Sequence, residues 1–145
     1  MEIPNIVEVN LYDQRFKDKF LLIGTCVKDL YPQILKGLIK TYKNIFPFCL
    51  ERNHYNILFT KLIDIISTGN ISRIGFLTVD ESPHCIQMHF TSRYLKRISR
   101  FKLKYEHYVI SKNNKIYKIE IKDINNARKL ARLGRPIETR NIYLV

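Results

Sequence analysis

The chain has 145 residues, of which 46% are hydrophobic and 12% aromatic, so it is long enough to bury one core and too apolar for a disordered protein. No apolar run reaches the roughly 18 residues that cross a bilayer, and the first residues lack the basic and apolar parts of a secretory signal. We therefore expect no membrane contact and a cytoplasmic location. The net charge of +12 is concentrated in residues 81–145, where fifteen Lys and Arg accompany five Asp and Glu, against ten and eight in residues 1–80.

Two extended segments open the chain. Apolar and polar residues alternate over residues 6–12, which predicts a short strand. Residues 20–23 form a continuous apolar run, typical of a strand that is covered on both faces, and this run ends at Gly24-Thr25-Cys26.

An amphipathic helix is predicted next. Asp29 is placed to cap it, Pro32 falls in its first turn, where a missing N–H is harmless, and Pro47 stops it near Phe46. Its apolar positions recur every four residues, at Leu30, Ile34, Leu38 and Tyr42. Residues 46–50 are then predicted to be a buried connector.

A second helix and a second buried strand follow. Asn53 is a candidate cap for the helix, Gly69 ends it, and residues 74–79 return as an apolar run. The core positions of the helix are Leu58, Leu62, Ile65 and Ile66. Because about fifty residues and two helices separate the two apolar strands, we expect them to be parallel neighbours joined by a right-handed crossover.

Residues 83–98 fit two patterns. Ser82 as the cap and Pro83 at the first helical position favour a helix. Apolar residues four apart support it, at Ile86, Phe90, Tyr94 and Ile98. Alternation from His84 to Phe90 would instead suit a strand. We prefer the helix because the capping residues agree with it.

The C-terminal third predicts a β-hairpin and a short helix. Residues 101–108 and 116–122 alternate around an Asn113-Asn114 turn, which indicates a hairpin with one polar face. Residues 125–133 predict a short helix that Gly134 closes, and residues 142–145 a last strand. We therefore expect one α/β domain over residues 1–145: a mainly parallel sheet flanked by helices over about residues 6–98, with a basic hairpin and helix appended from about residue 101.

The cysteines suggest one site. Cys26 and Cys85 each follow a predicted central strand, and the carboxyl ends of neighbouring parallel strands meet at one edge of a sheet, where sites form. Cys85 would lie in the first turn of its helix, where the dipole favours a thiolate, with His84 beside it and His89 one turn further. Cys26, His84, Cys85 and His89 are adequate ligands for zinc or an iron–sulfur cluster. The alternative is that both thiols are small core residues and that His89 hydrogen-bonds locally.

Three segments resemble a known family. They are residues 20–26, residues 61–66, and residues 72–79 with Pro83-His84-Cys85. Together they look like the α/β part of small ferredoxin-like iron–sulfur proteins of anaerobic bacteria and archaea, in which one strand ends in Gly-Cys and a later strand leads to Pro-Cys-Cys. The resemblance covers about residues 19–90 and implies cluster ligands at Cys26 and Cys85. Here Thr25 intervenes after the glycine, His84 stands in place of the first paired Cys, and the family's clustered ferredoxin cysteines are absent.

The basic half suggests a different activity. Cations can neutralise phosphates and interleaved aromatics can stack on unpaired bases, so the alternative is a nucleic-acid-binding or assembly protein with an anionic partner, either nucleic acid or an acidic protein. The candidate residues are Arg93, Lys96, Arg97, Arg100, Lys102, Lys104, Arg128, Lys129, Arg132 and Arg135. A solvated charged surface is the simpler interpretation. Asp80 and Glu81 are placed for acid–base work near His84, although acidic residues before a helix also simply suit its N-terminus.

Overall fold

The computed structural model describes residues 3–41, 44–50, 52–98, 103–125 and 130–142, with the backbone alone at residues 41, 83–85, 125, 130 and 132. The strands within these ranges are β1 (Asp18–Gly24), β2 (Ile45–Phe48), β3 (Ile71–Val79), β4 (Lys104–Ile110), β5 (Ile116–Ile119) and β6 (Arg135–Ile137). The α-helices are α1 (Thr25–Leu30), α2 (Pro32–Thr41), α3 (Tyr55–Ser67) and α4 (Pro83–Ile98). Short 3₁₀ helices connect several of them.

The strands form one sheet in the order β2-β1-β3-β4-β5-β6. The first four strands in that order are parallel, and β5 runs antiparallel to both of its neighbours. The predicted parallel pairing of the two apolar strands is confirmed, since Phe20 lies opposite Ile74 and Ile23 opposite Leu77. The prediction of a single α/β domain with a mainly parallel sheet flanked by helices is therefore confirmed.

Helices cover both faces of the sheet. Phe20 and Leu22 of β1 share a core with the apolar residues of α3 and α4, whereas Leu21 and Ile23 share one with those of α1 and α2. All four side chains are fully buried. Burial on both faces explains why this strand is an uninterrupted apolar run instead of an alternating one.

The predicted strand at residues 6–12 is wrong. Residues Ile6–Glu8 form a 3₁₀ helix, and turns follow it. The Oδ1 atoms of Asn5, Asn10 and Asp13 each accept a hydrogen bond from the backbone N–H two residues further on, at 2.9–3.1 Å. These local bonds give the backbone a turn where the apolar alternation alone suggested a strand.

Two further boundaries in the first half differ from the predictions. The helix after β1 begins at Thr25 and breaks at Tyr31, before Pro32, so Asp29 lies inside α1 instead of capping the helix. The predicted connector at residues 46–50 is in part a strand, since β2 pairs with β1. As β2 is the edge strand, Pro47 is tolerated there without a donor.

The helix at residues 83–98 is confirmed, and so is the hairpin, with β4 and β5 antiparallel around the Asn113-Asn114 turn. The hairpin is not an appendage, however. β4 pairs with β3 along seven residues and is buried on both faces from Glu106 to Ile110, so it has no polar face.

The end of the chain also departs from the predictions. Residues Ile121–Asn125 and Leu130–Leu133 are 3₁₀ helices, and the rest of the predicted short helix, residues 126–129, lies outside the described residues. The last described strand is β6, and residues 143–145 of the predicted final strand also lie outside. Gly134 sits where a Cβ would approach the Lys118 carbonyl oxygen to 2.6 Å, so a close contact with β5 explains this glycine.

Candidate functional site

The sheet order defines one preferred edge for a ligand. Along the chain, β1 leads through α1 and α2 to β2, which lies on one side of β1 in the sheet. β3 lies on the other side of β1. β3 leads through α4 to β4, away from β1, so the connections at the carboxyl ends of β1 and β3 run in opposite directions. We call the space outside these two strand ends the crevice. In open α/β sheets, ligands bind at such a switch point.

Cys26 lies at this edge. It is the second residue of α1, directly after the end of β1 at Gly24, and its side chain is half-buried. Cys85 is in the first turn of α4, six residues after the end of β3. The predicted placement of both cysteines at one edge of neighbouring parallel strands therefore holds for the backbone. The side chains of His84 and Cys85 lie outside the described residues.

Cys49 is a third thiol at the same edge, and sequence reasoning missed it. It directly follows β2, whose last residue, Phe48, lies opposite Gly24. Cys49 is also half-buried and free. It went unnoticed because residues 46–50 were predicted to be a connector instead of a strand. It lies beyond β1, on the side away from the crevice.

The Asp80 side chain stabilises the turn after β3 through hydrogen bonds from backbone N–H groups. The Asp80 carboxylate accepts hydrogen bonds from the N–H of Glu81 at 3.1 Å and from the N–H of Ala131 at 3.2 Å. Glu81 adopts the left-handed conformation, with φ of 68°, and its carboxylate lies 3.4 Å from the Lys112 ammonium. Asp80 thus fastens the 3₁₀ helix at residues 130–133 to the sheet edge, which favours a structural role over acid–base work.

The strained Glu81 backbone permits a direct test. We expect Glu81→Gly to raise the free energy of unfolding by about 0.5–1 kcal/mol, because glycine adopts this φ without a steric penalty. Denaturant titration measures the change. Asn114→Gly is the matched control, since Asn114 has a φ of 62° but asparagine tolerates that region. An equal gain in both variants, or a loss in Glu81→Gly, would contradict the assignment of strain to Glu81.

His89 does not lie at the crevice. It lies on the buried face of α4 and is fully buried. Its Nε2 lies 2.7 Å from Thr78 Oγ1, and its Nδ1 lies 2.9 Å from Nδ1 of His107. Ser92 Oγ completes the group at 3.3 Å from His107 Nε2, and the ring of Phe76 stacks on His107 at 5.4 Å. Both ring nitrogens of His89 are thus engaged by the protein. Neither ring nitrogen is open to a metal ion, so the position of His89 does not fit its expected role as a metal ligand.

The hydrogen bonds among Thr78, His89, Ser92 and His107 determine which ring nitrogen of each histidine carries a hydrogen. Ser92 donates its only hydroxyl hydrogen to the His89 carbonyl oxygen at 3.0 Å, so Nε2–H of His107 donates to Ser92. The Nδ1 of neutral His107 then accepts from Nδ1–H of His89, and the Nε2 of His89 accepts from Thr78. A proton added to Nδ1 of His107 would face Nδ1–H of His89 and place two donors against each other, so this arrangement holds His107 neutral. A proton added to Nε2 of His89 would make the Thr78 hydroxyl accept instead of donate.

Electrostatics favour the same neutral state. Burial is the main cause that lowers the pKa of His89 well below its usual range, and His107 lowers it further. Burial likewise lowers the pKa of His107 to about 3, with Lys96 and Arg93 adding to the effect. Nothing in the sequence signalled this pair, because His89 and His107 come from a helix and a strand that only the fold brings together.

The basic residues divide between several elements. Arg93, Lys96 and Arg97 lie on α4, where Arg93 stands over the Phe90 ring at 5.2 Å and Lys96 over the Tyr105 ring at 5.7 Å. Lys104 begins β4 and Arg135 begins β6, and both are exposed. The remaining predicted residues, Arg100, Lys102, Arg128 and Lys129, lie outside the described residues, as does the side chain of Arg132.

Two kinds of feature are absent from the described residues. Within the described ranges, no three His, Cys, Asp or Glu side chains are grouped so that they could hold a metal ion. No helix in the described part of the chain is both long and apolar enough to cross a bilayer.

Comparisons with known proteins identify the fold family. No curated protein and no solved structure matches the chain significantly. A family model described as a Rossmann-like domain matches residues 14–142. The expected resemblance to ferredoxin-like iron–sulfur proteins stays a prediction, because this match carries no information on a cluster. The match includes all six strands, β1 to β6, and the chain therefore belongs to the family of Rossmann-like domains.

Proposed function

We propose that the protein acts through a thiol-based site at the carboxyl edge between β1 and β3, where Cys26, His84 and Cys85 bind a metal ion. One observation carries the proposal. The sheet order makes β1 and β3 the two strands of the switch point, and the chain has a cysteine in the first helical turn after each of them.

The sequence at the end of β1 argues against a dinucleotide in this crevice. Dinucleotide sites of this fold class use a G-x-G-x-x-G turn, whose second glycine lets the pyrophosphate approach the backbone. Here the three positions are Gly24, Cys26 and Asp29. Cys26 brings a side chain where close approach is needed, and the Asp29 carboxylate would repel a phosphate. A thiol ligand fits this turn better than a phosphate does.

The ligand set favours zinc over a cluster. The chain has three cysteines in all, too few for a four-cysteine iron–sulfur site, and Cys49 lies beyond β1. Two thiolates and one imidazole are a known zinc set that leaves a fourth position open for water or substrate. Reduced thiols in an odd number suit a reducing compartment, so we also propose a cytoplasmic location.

Metal analysis of the untagged protein, purified without oxygen, tests the proposal. We expect about one zinc per chain, lost in Cys26→Ser and in Cys85→Ser, because each variant removes one of three ligands. Cys49→Ser is the matched control and keeps the metal, since Cys49 belongs to the same edge but not to the crevice. A visible spectrum reports iron in place of zinc.

Two results would overturn the proposal. One is a metal-free protein whose Cys26 and Cys85 react with a thiol reagent no faster than Cys49, since the cysteines would then be packing residues. The other is metal that persists in Cys26→Ser and Cys85→Ser.

A further inference from the structure

The outer surface of α3 and α4 combines rings and cations. Both helices pack on the same face of the sheet, and side chains of α3 contact side chains of α4. The Tyr55 hydroxyl lies 2.9 Å from Thr91 Oγ1, and the Phe59 ring meets the Tyr94 ring edge-on at 6.3 Å. Residues about 35 positions apart thus face each other along the seam between the two helices.

Three aromatic rings continue along this seam. Tyr55 and Phe59 stack at 6.0 Å with an angle of 20° between their planes, and Phe59 leads to Tyr94. The Tyr94 residue is 45% exposed. An exposed ring that packs on Phe59, which itself stacks on Tyr55, has little conformational freedom left to lose when a planar group stacks on it.

The charge on α4 has one sign. Residues 83–98 contain Arg93, Lys96 and Arg97 and no Asp or Glu. Arg97 is exposed in the last turn, three residues after Tyr94 and on the same side of the helix, whereas Lys96 points towards the Tyr105 ring of β4. On α3, Lys61 and Asp64 offset each other, so the net charge of the pair of helices is that of α4.

We infer that this α3–α4 face binds single-stranded nucleic acid. Proteins that bind unpaired strands combine cations that follow the phosphates with aromatic rings on which bases stack. Tyr94 supplies the stacking ring, and Arg97, three residues further on the same side of α4, supplies the phosphate contact. The face lies on α3 and α4, away from Cys26 and α1, and the inference does not depend on the metal site.

Fluorescence anisotropy tests the inference. The probe is a labelled oligothymidylate of about 20 nucleotides, longer than the roughly 4–16 nucleotides that a single domain covers, in about 50 mM salt. We expect Tyr94→Ala to weaken binding about tenfold and Tyr94→Phe to retain it. Arg97→Ser should reduce the slope of log affinity against log salt by about 0.7.

Matched controls come from elsewhere on the chain. Tyr12→Ala removes a tyrosine that is 76% exposed, from the N-terminal segment. Lys36→Ser removes an exposed cation on α2, which packs on the opposite face of the sheet. Both variants should bind like the unmodified protein. Circular dichroism confirms that each variant is folded.

Several outcomes would overturn the inference. They include no binding at low salt, or equal losses in the variants and their controls, which would indicate diffuse charge. Equal competition by a duplex of the same length would show that stacking is not involved. If poly-L-glutamate bound with the same dependence on Tyr94 and Arg97, the face would belong to an acidic protein partner.

Discussion

Acidification from pH 7 to pH 5 should lower the free energy of unfolding by about 4 kcal/mol through His89 and His107 alone. Both pKa values are lowered in the folded protein, to about 3 for His107, whereas an unfolded histidine titrates near 6.5. Below about pH 6.5 the unfolded chain therefore binds two protons that the folded chain does not. Stability is complete above that pH and is lost as the pH falls towards 3.

Denaturant titrations at several pH values measure this effect. Between pH 6 and 4 the two histidines contribute a slope of about 2 to 3 kcal/mol per pH unit. His107→Asn should halve that slope, because the asparagine oxygen can accept from His89 Nδ1–H but cannot titrate. His54→Gln is the control, since His54 is exposed and lies outside the buried pair.

A second measurement uses the unmodified protein and therefore needs no variant. Long-range ¹H–¹⁵N correlation spectra at neutral pH should show the hydrogen on Nδ1 of His89 and on Nε2 of His107. These positions follow from the hydrogen bonds that connect Thr78, His89, His107 and Ser92. Observation of either ring as imidazolium at pH 6, or a flat dependence of stability on pH between 6 and 4, would contradict the neutral pair.

This pair marks the limit of what the sequence could predict. The apolar runs at residues 20–23 and 74–79 predicted the central parallel strands, because burial on both faces leaves a continuous signal. The capping residues Ser82 and Pro83 predicted α4 with its observed bounds. His89 was assigned to the wrong site because its distance from Cys85 on one helix was visible in the sequence, whereas its contact with His107 on another element was not.

The same reasoning explains the errors at the edges of the fold. The sequence did not predict β2, because Pro47 weakens the strand signal although an edge strand tolerates a proline. Without β2, Cys49 had no place at the sheet edge. Turn-forming side chains at Asn5, Asn10 and Asp13 overrode an alternating pattern that is weak over so few residues. Long apolar runs predicted the strands correctly, whereas short alternating patterns failed where local hydrogen bonds determined the backbone conformation.

Some of the basic charge has a structural role instead of a binding role. Glu106 is buried at the start of β4, where Arg73 Nη1 lies 2.9 Å from its Oε1 and Lys118 Nζ lies 3.9 Å from its Oε2. The Tyr108 hydroxyl also donates to this carboxylate. Because the side chains of Arg73 and Glu106 are only 14% and 10% exposed, removing one partner would leave a charge that water can hardly solvate.

Arg73→Leu should therefore lower the free energy of unfolding by about 3 kcal/mol, and the melting temperature by about 10 °C. Its control is Arg140→Leu. The Arg140–Glu138 pair has the same residue types at 2.6 Å, but its side chains are 76% and 66% exposed, so water solvates the remaining carboxylate and the loss should stay below about 1 kcal/mol. Thermal unfolding followed by circular dichroism measures both.

The double variant Arg73→Leu/Glu106→Leu separates the buried charge from the packing of the arginine chain. If the cost arises from an uncompensated carboxylate, removing Glu106 as well should restore about 2 kcal/mol of the loss, although Tyr108 and Lys118 give up a partner. A double variant as unstable as Arg73→Leu would show that the hydrocarbon stem of Arg73 is what the fold requires. Equal losses in Arg73→Leu and Arg140→Leu would contradict the central role of burial, because the two pairs differ chiefly in their exposure to water.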